Sequence, residues 1–348
     1  MNKRILTLLD VVILLVATSF NTIFFELIYV CVYSLVRLGI AHKGLDRYIP
    51  LILLLAWVNS TKLISADLYN YGLILDTASK LSLGPFLMEN IKSPFFYIWF
   101  WVFNALTISF VNSLIVYFGY LLMISSIDRY FTKSGDKIVA SILLIFYFNL
   151  FDMSGHLLRQ FLAGSILIYS VIQANKKGLI IAGLCHLSSL FGLSYFVKNF
   201  KQLILFCIAV TLLLLVPEIQ KIFFIYIYNK STHSIIEFVE LGILENYIIL
   251  LSLICLFSKH FRSHYLRIVL FLSGSIFLFN ENTELCLRLF QYFHFLIPFI
   301  VITISNLLYE IHKSLAIKGV INISFVALFI FNFIYRMTFN PNWSYFNI

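Results

Sequence analysis

Apolar stretches long enough to cross a bilayer recur along the whole 348-residue chain, and short polar turns separate them. Hydrophobic residues make up 61% of the sequence and charged residues only 12%, whereas a soluble domain carries about 25% charged residues. Because the apolar stretches are continuous rather than alternating with polar residues, they favour helices over the strands of a barrel. We therefore expect an all-α, polytopic helical membrane bundle that forms one transmembrane domain over residues 1–348. About 11 spans plus re-entrant or interfacial helices fit this length.

The basic residues indicate how the bundle is oriented. The formal net charge of +9 would by itself suit a nucleic-acid partner. The basic residues, however, lie in short turns between apolar stretches, as membrane orientation requires, so we expect no nucleic acid. The positive-inside rule places the following segments on the cytoplasmic side: residues 37–47, 129–137, 176–177, 259–267 and 310–318. The polar segments near 65–93 and 217–245 then lie on the outer side.

The pattern of apolar stretches predicts individual helices. Residues 1–39 are too long for one helix and should form two that turn near 19–22. Further helices are expected at residues 48–64, 108–127, 137–151, 157–174, 202–216, 246–257, 267–279, 287–308 and 319–335. The aromatic segment 93–105 is typical of an in-plane or re-entrant helix. Residues 178–201 leave two topologies open, a full span or a broken hairpin that returns to one side.

Several common catalytic and ligand-binding patterns are absent from the sequence. The five cysteines show no C-x-x-C pairing, and most lie in apolar stretches, where a free thiol packs as a small core residue. No D-x-D or H-E-x-x-H pattern occurs, so we expect no metal site and no cofactor. Neither a Walker motif nor a G-x-S-x-G elbow is present.

Arg159 is the first candidate functional residue, in the stretch G-H-L-L-R-Q-F-L-A-G at residues 155–164. We expect it about four residues into a helix that begins near Gly155, with His156 one turn earlier on the same face and Gln160 beside it. A helix N-terminus and a guanidinium fork together suit phosphate oxygens. The alternative is that Arg159 simply pairs with Asp152.

Arg288 has a similar setting late in the chain. It follows N-E-N-T-E-L-C-L and is expected at the start of a helix, with Gln291 and Tyr292 on its face at i+3 and i+4. Arginine, amide and phenol together could hold a phosphorylated ligand. The alternative is that Glu284, at i−4, neutralises Arg288.

Two further groups are candidates for chemistry. His186 lies inside an apolar stretch, flanked by Cys185 and by two serines, and it is either a base or a packing residue. Asp67, Tyr69 and Tyr71 form a D-x-Y-x-Y cluster just after an early helix. The alternative for this cluster is the ordinary aromatic belt of a membrane interface.

In their order and approximate spacing, these motifs resemble the EpsG-like branch of the Wzy-type polysaccharide repeat-unit polymerases. The sequence that carries the resemblance is D-L-Y-N-Y (67–71), S-P-F-F-Y-I-W-F (93–100), L-L-R-Q-F-L-A-G (157–164), C-H-L-S-S (185–189) and L-R-L-F-Q-Y (287–292). The first cluster departs from the family pattern: Ser65 and Ala66 stand where a glycine is expected, and Leu68 where an aromatic residue is common.

The resemblance implies a membrane glycosyltransferase with a GT-C-like architecture in a bacterial inner membrane, its active site facing the periplasm or cell exterior. It would transfer a growing glycan from one undecaprenyl diphosphate to the sugar of an incoming undecaprenyl-diphosphate-linked repeat unit. Membrane lipid and a chain-length regulator protein are further expected partners. The sugar, the linkage and the stereochemical outcome are left open.

The resemblance also assigns roles to the candidate residues. Arg159 and Arg288 would bind the pyrophosphate, assisted by His156, Gln160, Gln291, Tyr292, Tyr69 and Tyr71. The base would be His186, Asp67 or Glu284, in that order of preference. Two alternatives are a glycan ligase that uses the same donor with another acceptor, and a flippase or transporter that moves the lipid-linked unit without chemistry.

Overall fold

The computed structural model describes residues 3–20, 23–40, 47–61, 66–186 and 291–339, together with Ser189, Ser252, Cys255, Ser258 and Lys259. All regular structure in these residues is helical, which confirms the expected all-α class. Within the described residues, three helices are long and apolar enough to cross a bilayer, or four if one bent pair counts as a single span. The chain is thus a helical membrane protein. Most of the spans expected between residues 190 and 290, and the polar segment 217–245, lie outside the described residues.

The N-terminal part of the bundle consists of α1 (Lys3–Ala17), α2 (Ile23–Ile40) and α3 (Ile49–Thr61), packed around the long helix α7 (Ile108–Tyr130). The expected division of residues 1–39 into two helices is confirmed. The Thr107 side chain caps α7 by accepting from the N–H of Phe110 at 3.3 Å.

A buried ion pair joins three of these helices. Asp10 of α1 is fully buried, and both of its carboxylate oxygens accept from the guanidinium of Arg37, at 3.1 Å and 3.3 Å. The hydroxyl of Tyr33 donates to the same carboxylate at 2.6 Å, and that of Tyr117 donates at 3.0 Å. Arg37, expected at the cytoplasmic end, is therefore also a structural cation. An apolar bundle retains such charges only when they are paired and hydrogen-bonded.

The outer polar segment near residues 65–93 is helical. It forms α4 (Ala66–Lys80) and the short α5 (Leu83–Glu89), and α6 (Pro94–Val102) follows. Pro94 lies in the first turn of α6, where its missing N–H costs no hydrogen bond. The Trp101 indole donates to the carbonyl of Leu81 at 3.1 Å and ties α6 to the end of α4.

The helix expected at residues 137–151 is not continuous. It is divided into α8 (Ser134–Ile145) and α9 (Phe148–His156), which meet at an angle of 51°. The break coincides with a long-range contact, because the Tyr147 hydroxyl lies 2.7 Å from Nδ1 of His294. Local sequence carries no signal for a contact between residues so far apart in the chain.

Helices α10 (Leu158–Gln173) and α11 (Lys176–Cys185) form a tight antiparallel hairpin. Ala174 adopts a left-handed conformation (φ 54°) at the end of α10, and Asn175 caps α11 by accepting from the N–H of Gly178. A Cβ at Gly178 would lie 2.0 Å from the hydroxyl of Ser170, so the two helices approach closely here.

The last described part of the chain starts with a 3-10 helix (Tyr292–Leu296), which continues into α12 (Ile297–His312), and α13 (Leu315–Phe339) follows. Lys318 of α13 donates to Asp136 of α8 at 2.6 Å and to the Asn306 side chain at 2.5 Å. Residues 129–137 and 310–318 therefore meet at one end of the bundle. The positive-inside rule predicts, for each turn separately, that it lies on the cytoplasmic side.

We expect Asp10→Ala to lower the free energy of unfolding by about 3–5 kcal/mol, because it leaves the Arg37 guanidinium buried without its carboxylate. The double substitution Asp10→Leu/Arg37→Met should cost less than the single one. Unfolding in detergent micelles measures both. Asp76→Ala is the matched control, since its pair with Lys80 is exposed and worth about 0–1 kcal/mol. Equal losses for Asp10→Ala and Asp76→Ala would contradict the structural role.

We expect Gly119→Ala to destabilise the protein by about 1–3 kcal/mol through overpacking. A Cβ at this position of α7 would lie 2.2 Å from the ring of Phe161, which is itself fully buried. Gly72→Ala in α4 is the control, because nothing lies within 4 Å of its added Cβ. It should be neutral or stabilising by up to about 1 kcal/mol. Similar unfolding midpoints for both variants would show that α7 and α10 do not pack this closely.

Candidate functional site

Arg159 lies in the first turn of α10, at the junction with α9. Helix α9 ends at His156, Leu157 adopts a non-helical conformation (φ −121°, ψ 50°), and α10 begins at Leu158. The expectation that one helix begins near Gly155 and carries both His156 and Arg159 on one face is therefore wrong, because the helix is interrupted at Leu157. Arg159 therefore lies nearer to a helix N-terminus, the positive end of the helix dipole.

The guanidinium of Arg159 packs on an aromatic ring of another helix. Its Cζ lies 5.8 Å from the ring centroid of Tyr97 on α6, a distance at which a cation and a π face attract. Tyr97 is buried and packs in turn against Phe96 and Phe100, with centroid distances of 5.4 Å and 6.2 Å. The ring is thus a fixed support for the cation.

The D-x-Y-x-Y segment joins the same cluster through one of its two tyrosines. The ring of Tyr71 is buried, with centroids 5.6 Å from both Phe96 and Phe100. Tyr69 is 61% exposed and offers its ring to the surroundings. Asp67 lies in the first turn of α4. The structure therefore brings α4, α6 and α10, which carry three of the ordered motifs, to the same end of the bundle.

The residues around the α9–α10 junction are polar but compactly arranged. Nε2 of His156 lies 3.4 Å from the carboxylate of Asp152, one turn earlier in α9. The carboxylate that the sequence offers as a partner for Arg159 therefore also lies close to His156. Gln160 is 1% exposed, so it is part of the packed interior of α10.

His186 ends α11 and lies at the same end of the bundle as Arg159, because α10 and α11 run antiparallel. Its N–H donates to the carbonyl of Ala182, and its own carbonyl accepts from the Ser189 hydroxyl at 2.8 Å. From the lengths of the two helices, His186 lies roughly 6 Å deeper along the axis than Arg159. It is 2% exposed. Its role as a base stays a prediction.

The late motif is described only in part. Arg288 and Glu284 lie outside the described residues, so a chamber shared by Arg159 and Arg288 stays a prediction. Tyr292 is fully buried and stacks on Phe295. A Cβ at Gly164 of α10 would lie 2.4 Å from the Phe295 ring, so the 3-10 helix that Gln291 precedes packs closely on α10. This packing gives Tyr292 a structural role.

One partly buried polar network was not predicted from the sequence. It runs from His294, whose Nδ1 contacts the Tyr147 hydroxyl, to the Asn149 side chain, 3.4 Å from that hydroxyl. Arg336 of α13 donates to the side-chain amide oxygen (Oδ1) of Asn149 at 2.9 Å, and its guanidinium lies 5.4 Å from the ring centroid of Phe148. Only the charge of Arg336 in an apolar stretch could have signalled it.

We expect Tyr97 and Arg159 to be energetically coupled. Tyr97→Leu removes the π face, whereas Tyr97→Phe retains it, so only the former should lose about 0.5–2 kcal/mol of interaction with Arg159. A double-mutant cycle of Tyr97→Leu with Arg159→Gln, read by unfolding in micelles, measures the coupling directly. Strictly additive effects of the two substitutions would contradict a cation–π contact.

Within the described residues, no three His, Cys, Asp or Glu side chains come close enough to hold a metal ion. No family model, no curated protein and no solved structure matches this chain. Its function is therefore inferred from the position of Arg159 and from the ordered motifs of the sequence.

Proposed function

We propose that this protein is a membrane glycosyltransferase that joins undecaprenyl-diphosphate-linked oligosaccharide repeat units, a polysaccharide polymerase of the Wzy type. It acts on the outer face of a bacterial inner membrane. Its full bundle has about 11 spans in a GT-C-like arrangement. Donor and acceptor are both lipid-linked, and a chain-length regulator is a further partner.

The observation that carries this proposal is the position of Arg159. It lies in the first turn of α10, with its guanidinium on the buried ring of Tyr97. Helices α4, α6, α10 and α11 all present their motif residues at this end of the bundle. The end opposite carries the basic turns 129–137 and 310–318, so the positive-inside rule makes the Arg159 end the outer one.

The chemistry of the reaction fits this position. Cleavage of the anomeric C–O bond leaves negative charge on a diphosphate, which is stabilised best by donors that are already in place where water is scarce. The Arg159 fork can offer two parallel N–H groups to one phosphate, and the N-terminus of α10 adds backbone N–H groups and a positive dipole end. Arg288 would bind the same diphosphate from the second half of the chain.

The acceptor hydroxyl needs a base as the new bond forms. His186 is our first choice, followed by Asp67 and Glu284. His186 and Asp67 both lie on helices that reach the Arg159 end, His186 at the end of α11 and Asp67 at the start of α4. Exposed Tyr69 would stack on a sugar face.

The direct test is a reaction of the purified full chain in detergent with lipid-linked repeat units from cells that lack the gene. Extension to longer lipid-linked glycans without an ion gradient would support the proposal. Transfer of glycan only to a different acceptor would replace it with the ligase alternative. Movement of the lipid across proteoliposomes without any new glycosidic bond would replace it with the transporter alternative.

We expect Arg159→Lys to lower the rate of chain extension by about 100-fold or more, in line with the loss of one positioned donor at a developing charge. Lysine keeps the charge over Tyr97 but cannot offer a fork. Product length and rate in the purified assay measure the effect. Lys92→Gln, at an exposed position before α6, is the control and should behave as wild type. Wild-type chain lengths from Arg159→Lys would refute the phosphate role.

A further inference from the structure

A cavity lies at the end of the bundle opposite Arg159. Its volume is about 180 Å³, and it lies between the turn that joins α7 to α8 and the last turns of α12. Its lining residues are Tyr130, Phe131, Thr132, Lys133, Asp136, Asn306, Tyr309 and Glu310. Pockets for drug-sized ligands occupy about 300–1,000 Å³, so this cavity suits a single small polar group rather than a nucleotide or an oligosaccharide.

Both carboxylates of the cavity wall are paired with lysines. Asp136 in the cavity wall accepts from Lys318 at 2.6 Å, and its second oxygen accepts from the Asn306 amide at 3.3 Å. Glu310, also in the wall, lies 2.9 Å from the ammonium of Lys259. On the adjoining surface, Asp128 pairs with Lys137 at 2.9 Å. Among the described residues in and beside the cavity wall, these pairs leave no net negative charge to repel an anion.

One further cation lines the cavity, and two more lie within a few residues of its lining. Lys133 lines it, and its ammonium lies 5.7 Å from the ring centroid of Tyr309. Arg129 and Lys313 are exposed at the ends of α7 and α12. Within the described ranges these three make no ion pair with a carboxylate. The cavity therefore has a positive rim, and the first-turn N–H groups of α8 add to it.

The depth of the cavity relative to the membrane indicates where an anion would come from. The two helical segments that flank it are α7 and α12 with the 3-10 helix before it. Both are long enough to span and end at Tyr130 and His312, so the cavity lies where the hydrocarbon region gives way to headgroups. Tyrosines in its wall suit this interface. Beside it, only 6% of the most apolar 18-residue stretch of α13 is buried inside the protein, which leaves a long apolar face for acyl chains.

We infer that this cavity binds the phosphate-bearing headgroup of an anionic phospholipid of the cytoplasmic leaflet. Lys133 contacts the phosphate, and Arg129 and Lys313 contribute to the attractive field at the rim. The acyl chains lie along the exposed apolar side chains near the start of α13, among them Leu315, Val320 and Ile323. The negative potential of anionic lipids attracts basic protein segments to the cytoplasmic membrane surface, and basic pockets between membrane helices bind such headgroups.

The test measures thermal unfolding of the purified full chain in detergent micelles that contain increasing phosphatidylglycerol, with phosphatidylcholine as the zwitterionic comparison. Phosphatidylglycerol should raise the unfolding midpoint in a saturable manner, and phosphatidylcholine should not. Lys133→Gln should raise the half-saturating phosphatidylglycerol concentration about fivefold. Lys92→Gln, at the other end of the bundle, should leave it unchanged. Lys133 is exposed, so its substitution does not threaten the fold.

Three results would overturn the inference. Equal stabilisation by phosphatidylcholine would show that the headgroup charge is irrelevant. An unchanged half-saturating concentration for Lys133→Gln would place the lipid elsewhere. If inorganic phosphate alone stabilised the protein through Lys133 and phosphatidylglycerol gave no more, the ligand would be free phosphate rather than lipid. None of these outcomes depends on the glycosyltransferase proposal, because the measurement is of binding at the opposite end.

Discussion

An apolar environment allows a polar group inside the bundle only if the protein itself provides its partner, and this constraint explains where the buried charges lie. Asp10 is held by Arg37 and two tyrosines across three helices. Glu26 accepts from the Trp57 indole at 2.8 Å and joins α2 to α3. Lys318 joins α13 to α8 and α12. Each contact fixes the rotation of one helix against another, which apolar packing alone would define less sharply.

The sequence predicted those features of the fold that depend on local apolar length and on charge. The division of residues 1–39 into two helices, the long α7 and the meeting of two basic turns at one end were all foreseeable. The break between α8 and α9 was not, because it coincides with a contact between Tyr147 and His294 that no local pattern encodes. The same reason explains why Arg37, which looked like a simple orientation signal, proved to be part of a buried ion pair.

For the candidate site, the motifs indicated the relevant residue types, but only the structure indicated how they are arranged. The sequence placed His156 and Arg159 on one helix face, whereas a helix junction at Leu157 separates them. Tyr69 and Tyr71 looked equivalent, yet one is exposed and the other lies in an aromatic cluster. These differences arise because burial is decided by neighbouring helices. A pattern of residues can show that a segment is unusual without showing which side chain faces a ligand.

The hairpin of α10 and α11 has a consequence for how this chain can vary. Its turn is closed by Asn175 and by the close approach of Gly178 to Ser170, so the two helices cannot slide past each other. The vertical offset between Arg159 and His186 is then set by residue count alone. One residue more or fewer in α11 would turn His186 by about 100° and shift it by about 1.5 Å. The length of α11 therefore sets the offset between Arg159 and His186, and point substitutions along α11 are tolerated better than insertions.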